Sequence, residues 1–258
     1  MKIPFYKYQG TGNDFVVIDN RNELFPKNDS LLIAKMCDRK FGIGADGLLL
    51  LENNIKYDFT MIYHNADGNL GSMCGNGGRC MVHFANYLNV INESTLFEAV
   101  DGLHEASIQN NDIVSLKMND VDEIVINKNS IFLNTGSPHH VEMVDDLKQF
   151  NVEERGSYIR NKIYGKEGSN INFVEKVDNE LFAVRTFERG VEAETLSCGT
   201  GVTAVAIALS ETNKLKNNIV VLQTEGGNLS VRFNKINATY QNVYLEGPAT
   251  QVFKGVWE

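Results

Sequence analysis

No stretch of this chain is apolar for long enough to cross a membrane: the nearest, "GVTAVAIALS" at residues 201–210, falls far short of the ~20 residues a spanning helix needs. The opening "MKIPFYKYQG" lacks the apolar centre of a secretory signal. Basic residues are outnumbered, 24 Lys and Arg against 33 Asp and Glu, and a net charge of −9 argues against a surface for nucleic-acid phosphates. Four cysteines (37, 74, 80 and 198) in 258 residues do not make a disulfide framework, so a reducing, cytoplasmic setting is expected. There is no C-x-x-C, and the neighbours His139 and His140 on a strand would point to opposite faces, so no metal site is expected. No Pro- or Ser-rich linker interrupts the chain, and a composition 43% hydrophobic and 22% charged describes a folded globular protein with a substantial core.

What the chain does have is an internal repeat. "GNDFVVID" begins at Gly12 and "GSPHHVEMVD" at Gly136; "GADGLLLLE" begins at Gly44 and "GSNINFVE" at Gly168; "CGNG" begins at Cys74 and "CGTG" at Cys198. Each pair is separated by 124 positions, close to half the chain, which implies a duplication and two similar halves. The period is far too long for a solenoid. Strand-like runs precede each cysteine: 15–19, 48–52 and 59–63 in the first half, 141–144, 172–177 and 181–186 in the second. Helix-like runs follow them. The one after Cys198 is apolar nearly all round, so the strands of its own half must enclose it. The one after Cys74 is interrupted by Arg79, His83 and Asn86, which predicts an edge open to solvent. Further strands are expected at 219–224 and 229–233, joined by a turn at Gly226-Gly227-Asn228. The repeat offset places the boundary near Asn119.

Cys74 and Cys198 therefore occupy matching positions, each at the start of a helix, where unpaired N–H groups and the helix dipole favour a thiolate. Glycines 75, 77 and 78, and 199 and 201, leave the backbone bare for a ligand to approach. If the halves pack about a pseudo-twofold axis, the two sulfurs face each other across a small molecule whose carboxylate the helix starts hold. That geometry suits taking a proton from one face of a carbon and returning one to the other, which is cofactor-free racemisation or epimerisation. Asn65 in "HNADG", and Glu188 and Arg189 in "FERG", lie just ahead of the cysteine loops. Arg189 is suited to clasping a carboxylate, and Glu188 or His139 to accepting a thiol proton. Cys37 and Cys80 read as buried hydrophobes. The run "GIGADG" at 42–47 spells a dinucleotide fingerprint, but a helix precedes it and a strand follows, the reverse of what that motif requires.

In order along the chain, "GTGNDFVVID", "DRKFGIGADGLLL", "NADG…MCGNGGRC", "GSPH", "GSNINF", "ERG" and "SCGTG" resemble the diaminopimelate epimerase family nearly end to end. The resemblance implies an α+β fold of two pseudo-symmetric halves, each a mostly antiparallel sheet rolled round a central helix. It places residues 1–118 in the N-terminal half, joined by the C-terminal strand 249–258, and 119–248 in the other. It implies an isomerase interconverting LL- and meso-2,6-diaminopimelate in lysine and peptidoglycan precursor synthesis, with no cofactor and no metal, working as a homodimer. Carried over by motif, Cys74 and Cys198 are the acid/base pair, and His139 and Glu188 assist them. Asn13, Asn65, Gly75, Asn76, Asn170, Glu188, Arg189, Gly199 and Thr200 bind substrate. The chain departs from the family at Ser137, where an asparagine is common, and at Gly47, where some members carry glutamine. One residue is also added between Arg189 and Cys198, which predicts a bulge near residues 192–194. Three alternatives remain open: a proline or hydroxyproline racemase using the same thiols, a non-catalytic amino-acid binder, and a thiol redox protein. The proline enzymes tend to carry histidine where this chain has Asn76.

Overall fold

The computed structural model describes residues 2–109, 112–178 and 180–258. The chain divides into two compact units, Met1–Leu116 with Gly247–Glu258, and Lys117–Glu246.

The first unit runs β1 (Ile3–Gly10), β2 (Asn13–Asp19), α1 (Ser30–Cys37), β3 (Gly47–Glu52), β4 (Phe59–Asn65), α2 (Gly75–Tyr87), β5 (Ser94–Ala99), β6 (Gly102–Gln109) and β7 (Ile113–Lys117). The second runs β8 (Ile124–Ile126), β9 (Ile131–Asn134), β10 (Pro138–Met143), α3 (Val152–Lys162), β11 (Asn170–Asp178), β12 (Leu181–Glu188), β13 (Ala193–Thr195), α4 (Gly199–Glu211), β14 (Ile219–Thr224), β15 (Gly227–Ile236) and β16 (Thr239–Pro248). The last strand, β17 (Thr250–Trp257), belongs to the first unit.

Strand pairing follows one plan twice. In the first unit β2 runs parallel to β3 and β4 parallel to β5, while β1–β2, β3–β4, β5–β6 and β6–β7 are antiparallel. In the second, β10–β11 and β12–β14 are parallel, and β9–β10, β11–β12, β14–β15 and β15–β16 antiparallel. β17 pairs with β1 as β8 pairs with β9. Gly199 follows Gly75, and Glu211 follows Tyr87, by 124 positions each. The architecture is the α+β class read from the sequence.

Burial explains why each sheet curls. α2 touches β1, β2, β3, β4 and β6, and α4 touches β9, β10, β11, β14 and β15, so strands from across each sheet bend round one helix. All six residues of β3 are buried because it has a helix on both faces. Leu48 and Leu50 pack with Ile33 and Met36 of α1, whereas Leu49 points at Gly77 of α2. β11 alternates in the same way: Ile171 and Phe173 pack with Val152 and Ile159 of α3, and Val174 joins the cluster round α4.

Three expectations need correction. Arg79 is fully buried, not part of a solvent edge, because its guanidinium donates inward to Gly75 O, Thr11 Oγ1 and Asn76 Oδ1. The β14–β15 turn is Glu225-Gly226: Thr224 already pairs with Gly227, and Asn228 lies in the strand. The added residue before Cys198 lengthens the loop of a regular hairpin and makes no bulge, since β12 and β13 pair without a register shift. Glu192 closes the β12–β13 loop at φ 60°, with its N–H on Glu188 O at 2.8 Å.

Candidate active site

Each unit carries one half of the expected site. Cys74 is the N-cap of α2 (φ −115°, ψ 121°) and Cys198 the N-cap of α4 (φ −121°, ψ 110°), and neither side chain caps its own helix. The other helices are capped by ordinary means. Asp29 accepts from Leu32 N–H on α1, and Asn151 accepts from Glu154 N–H on α3 while donating to its carboxylate. The first-turn N–H groups of α2 and α4, including those of Gly75, Asn76, Gly199 and Thr200, point outward from the helix start as donors for an anion. Thiols buried elsewhere are chemically quiet. Burial pushes Cys37 up to about 11 and Cys80 up to about 12, so neither ionises near neutrality.

In the first unit, Cys74 is half-buried with its Sγ 3.5 Å from Asn13 Oδ1. Asn76, buried in the first turn of α2, donates to the same oxygen at 3.4 Å. Asn13 in turn donates to Asp46 Oδ2 at 2.7 Å. Asp46 and Asp14 share the guanidinium of Arg39, and Lys7 adds a second cation against Asp14. Burial alone would raise Asp14, but Arg39 and Lys7 outweigh it and hold the carboxyl at about 2. Asn65 ends β4 opposite Gly47 and is exposed. The ring of Tyr63 fills the space in front of Gly47 and Gly71: a Cβ at either would meet it, at 2.5 Å from Cε2 in the case of Gly47.

In the second unit, Cys198 is buried and its Sγ lies 3.6 Å from Thr200 Oγ1. His139 is fully buried on β10. Its Nδ1 is 3.2 Å from Asn172 Nδ2, which also donates to His140 O at 2.9 Å, while Asn172 Oδ1 accepts from Thr186. With an amide N–H aimed at Nδ1, the proton of the neutral ring sits on Nε2, an atom with no hydrogen-bond partner among the described residues. Burial, with Arg189 nearby, depresses His139 to about 3. The sequence suggested His139 as a proton acceptor. This arrangement makes it a neutral N–H donor instead.

Asn170 is a buried hub. It donates to Ser137 Oγ (2.9 Å) and Pro138 O (3.2 Å) and accepts from Arg189 N–H (2.9 Å). Arg189 is exposed, and its guanidinium donates to Glu167 O and Ser137 Oγ, two neutral oxygens that leave its charge available to an anion. Glu188, half-buried at the end of β12, accepts from Thr195. The structure thus groups Cys74, Asn13, Gly75 and Asn76 in one unit, and Cys198, Gly199, Thr200 in the other, where Asn170 joins Ser137 to Arg189. Among the described residues, no group of three or more His, Cys, Asp or Glu is arranged to hold a metal ion, and no helix is long and apolar enough to cross a membrane.

Sequence reading overlooked Asn172, Asp46 and Arg39 and misplaced Arg79, all of which orient the expected residues. Asn172 had a visible signal: it interrupts the apolar run "INFV" and faces Gly201 of α4, as Leu49 faces Gly77 of α2.

A sequence profile described as diaminopimelate epimerase matches residues 5–123 and 131–252. A diaminopimelate epimerase of Flavobacterium psychrophilum is 56% identical over 250 residues, spanning 96% of this chain and 98% of its own length. Among solved structures, a phenazine biosynthesis protein of the PhzF family from Bacillus anthracis superposes with a TM-score of 0.80 at 13% identity, covering 100% of this chain and 99% of that one. A hydroxyproline epimerase from Agrobacterium vitis superposes at 0.72 with 14% identity, covering 99% and 92%. At such identities these two show a shared fold and do not favour a proline-type activity here. The sequence match is of another order, it spans both halves, and it includes both cysteine-capped helices: the chain belongs to the diaminopimelate epimerase family.

Proposed function

We propose that this chain interconverts LL- and meso-2,6-diaminopimelate without a cofactor, using Cys74 and Cys198 as its two acid/base groups. The observation that carries the reading is positional. Both cysteines are extended N-caps of glycine-rich helix starts at matching places in a duplicated fold, whereas the other two lie away from any helix start and burial keeps them protonated. The reading requires both half-sites to bear on one α-carbon. The thiolate on one side then removes the α-proton, and the thiol on the other side delivers a proton to the opposite face. The first sulfur ends protonated, the second ends as thiolate, and the configuration is inverted with no net change of charge. Electron density released from the C–H bond moves into the α-carboxylate, where the first-turn N–H groups of Gly75, Asn76, Gly199 and Thr200 stabilise it.

The remaining residues suit the rest of the substrate. Diaminopimelate has a second carboxylate, and Arg189, held by Asn170 and Ser137, is a guanidinium ready for a bidentate pair. Asn65 and Glu188 offer amide and carboxylate oxygens to ammonium groups, while the Asn13 oxygen is turned to Cys74 and Asn76. His139 contributes an Nε2–H donor, suited to a sulfur while that sulfur is charged. Purified, reduced protein in D₂O with nothing added should place deuterium at the α-carbon of diaminopimelate, and proline offered in parallel should remain unlabelled. Cys74→Ala and Cys198→Ala should each lower turnover by roughly a thousandfold. Turnover retained in both variants would remove the two-thiol reading.

A further inference from the structure

Cys74 stands beside a chain of side chains whose polarity is fixed from both ends. At one end, the Asp46 carboxylate only accepts, so the Asn13 amide 2.7 Å away must turn its Nδ2 towards it. Arg39, 2.7 Å from the other oxygen, holds that carboxylate in place. At the far end, the buried guanidinium of Arg79 only donates, so Asn76 turns its Oδ1 towards it at 3.0 Å. The Nδ2 of Asn76 is thereby aimed at Asn13 Oδ1. A cation at one end and an anion at the other demand the same direction of every amide between them. The consequence falls on the sulfur: what faces Cys74 Sγ at 3.5 Å is the carbonyl oxygen of Asn13, which accepts a hydrogen bond and has none to give. In the second unit the corresponding sulfur has Thr200 Oγ1 at 3.6 Å, a hydroxyl able to serve thiol or thiolate.

We propose that Asp46 is a positioning residue: acting through Asn13, it presents an acceptor-only oxygen to Cys74 and so favours the protonated form of that sulfur in the free protein. The ionisable and charged groups of this unit near the relay are Arg79 and Cys80 on α2, Lys7 on β1, Asp14 on β2, Arg39 beside Asp46, and the buried thiol of Cys37 at the end of α1. Arg79 and the helix start pull Cys74 towards thiolate, and the Asn13 oxygen opposes them. The inference rests on the two-thiol reading for its significance, but its test needs no turnover, so the two fail separately.

The test uses full-length protein carrying Cys198→Ala, which leaves Cys74 without its coupled partner. The rate of iodoacetamide alkylation at Cys74 is followed against pH by mass spectrometry. The tryptic peptide spanning 57–79 holds no other cysteine, because cleavage after Arg79 separates Cys80. Adding Asp46→Asn frustrates the relay. Arg39, charged and 2.7 Å away, outweighs the neutral Asp14 N–H at 3.2 Å on Oδ2 and draws the new amide's oxygen, its NH₂ turns to Asn13, and Asn13 flips to offer its own NH₂ to the sulfur. The midpoint of the alkylation profile should fall by about one pH unit, making Cys74 roughly tenfold more reactive well below the midpoint. The plateau rate at high pH reports access alone. Asn13→Ala, which deletes the oxygen, should lower the midpoint as well, and Asp46→Asn added to it should change nothing further. A midpoint that stays or rises in Asp46→Asn, or that stays in Asn13→Ala should Asp46→Asn not fold, overturns the proposal, and so do additive effects of the two substitutions.

Discussion

The two central helices differ at one equivalent glycine in a way that gives opposite signs to the same substitution. A Cβ added at Gly77 would find Leu49, Met61 and Phe15 each at 3.5 Å, which is ordinary contact. Gly77→Ala should therefore be neutral or stabilise by up to about 1 kcal/mol through helix propensity. A Cβ at Gly201 would lie 2.5 Å from Asn172 Oδ1 and 3.2–3.3 Å from Cβ and Sγ of Cys198. Asn172 is fully buried and bonded to His140 O, His139 Nδ1 and Thr186 Oγ1 at 2.9–3.2 Å, so it cannot retreat without breaking some of these. Each buried bond left unmade costs about 1–3 kcal/mol. Losing two, less the propensity gain, gives roughly 1–5 kcal/mol of net destabilisation for Gly201→Ala, centred near 3. By differential scanning calorimetry its transition should fall by roughly 5–10 °C, whereas that of Gly77→Ala should hold or rise by a few degrees. If the two variants melt alike, the claim that Asn172 is pinned behind the second cysteine loop is wrong.

Arg189→Gln should raise KM for diaminopimelate by about 10–100-fold with a smaller change in kcat, since a charged hydrogen-bonded pair contributes about 1.5–3 kcal/mol; an unchanged KM in steady-state assays would put the second carboxylate elsewhere. For His139 the sign follows from its depression from 6.5 to about 3 on folding. Between those values the unfolded chain holds a proton that the folded one lacks. Its contribution is therefore complete above pH ~6.5 and is lost as pH falls towards 3, with a slope of up to ~1.4 kcal/mol per pH unit. Urea unfolding at a series of pH values should show this slope in the parent and a shallower one in His139→Gln.

Much of the fold could be read in advance because duplication writes the same instruction twice. The glycines at 44 and 168 both adopt positive φ, 79° and 66°, and the helices after both cysteines begin where the motif begins. The repeat is nevertheless not uniform. Gly47 lies opposite Phe15, and Asn170 opposite His139, so within β3 and β11 the offset shrinks by one residue. The extra residue in the β12–β13 hairpin restores it before Cys198. Counting from glycines alone misses this slip. α3 was overlooked because its apolar residues are sparse: only Val152, Gly156 and Ile159 are buried, and its start is marked by the Asn151–Glu154 capping box.

The cysteines and their glycine loops could be read because thiols in glycine have no packing use. The residues that orient them were harder to see, since nothing in a one-dimensional pattern says that Arg79 turns inward or that Asp46 fixes the direction of Asn13. His139 shows the same limit. Its presence was legible, but which ring nitrogen carries the proton depends on Asn172, 33 positions away in the chain and, on the neighbouring strand, two residues beyond the register partner Asn170.

The most direct measurement follows each pure stereoisomer of diaminopimelate in D₂O at early times, reading configuration and deuterium content together. Two thiols acting from opposite faces should give inverted product carrying one α-deuteron while the recovered starting isomer stays protiated. Deuterium appearing in the recovered isomer as fast as in the inverted product would mean one group serves both faces, and the account of Cys74 and Cys198 as a pair would be contradicted.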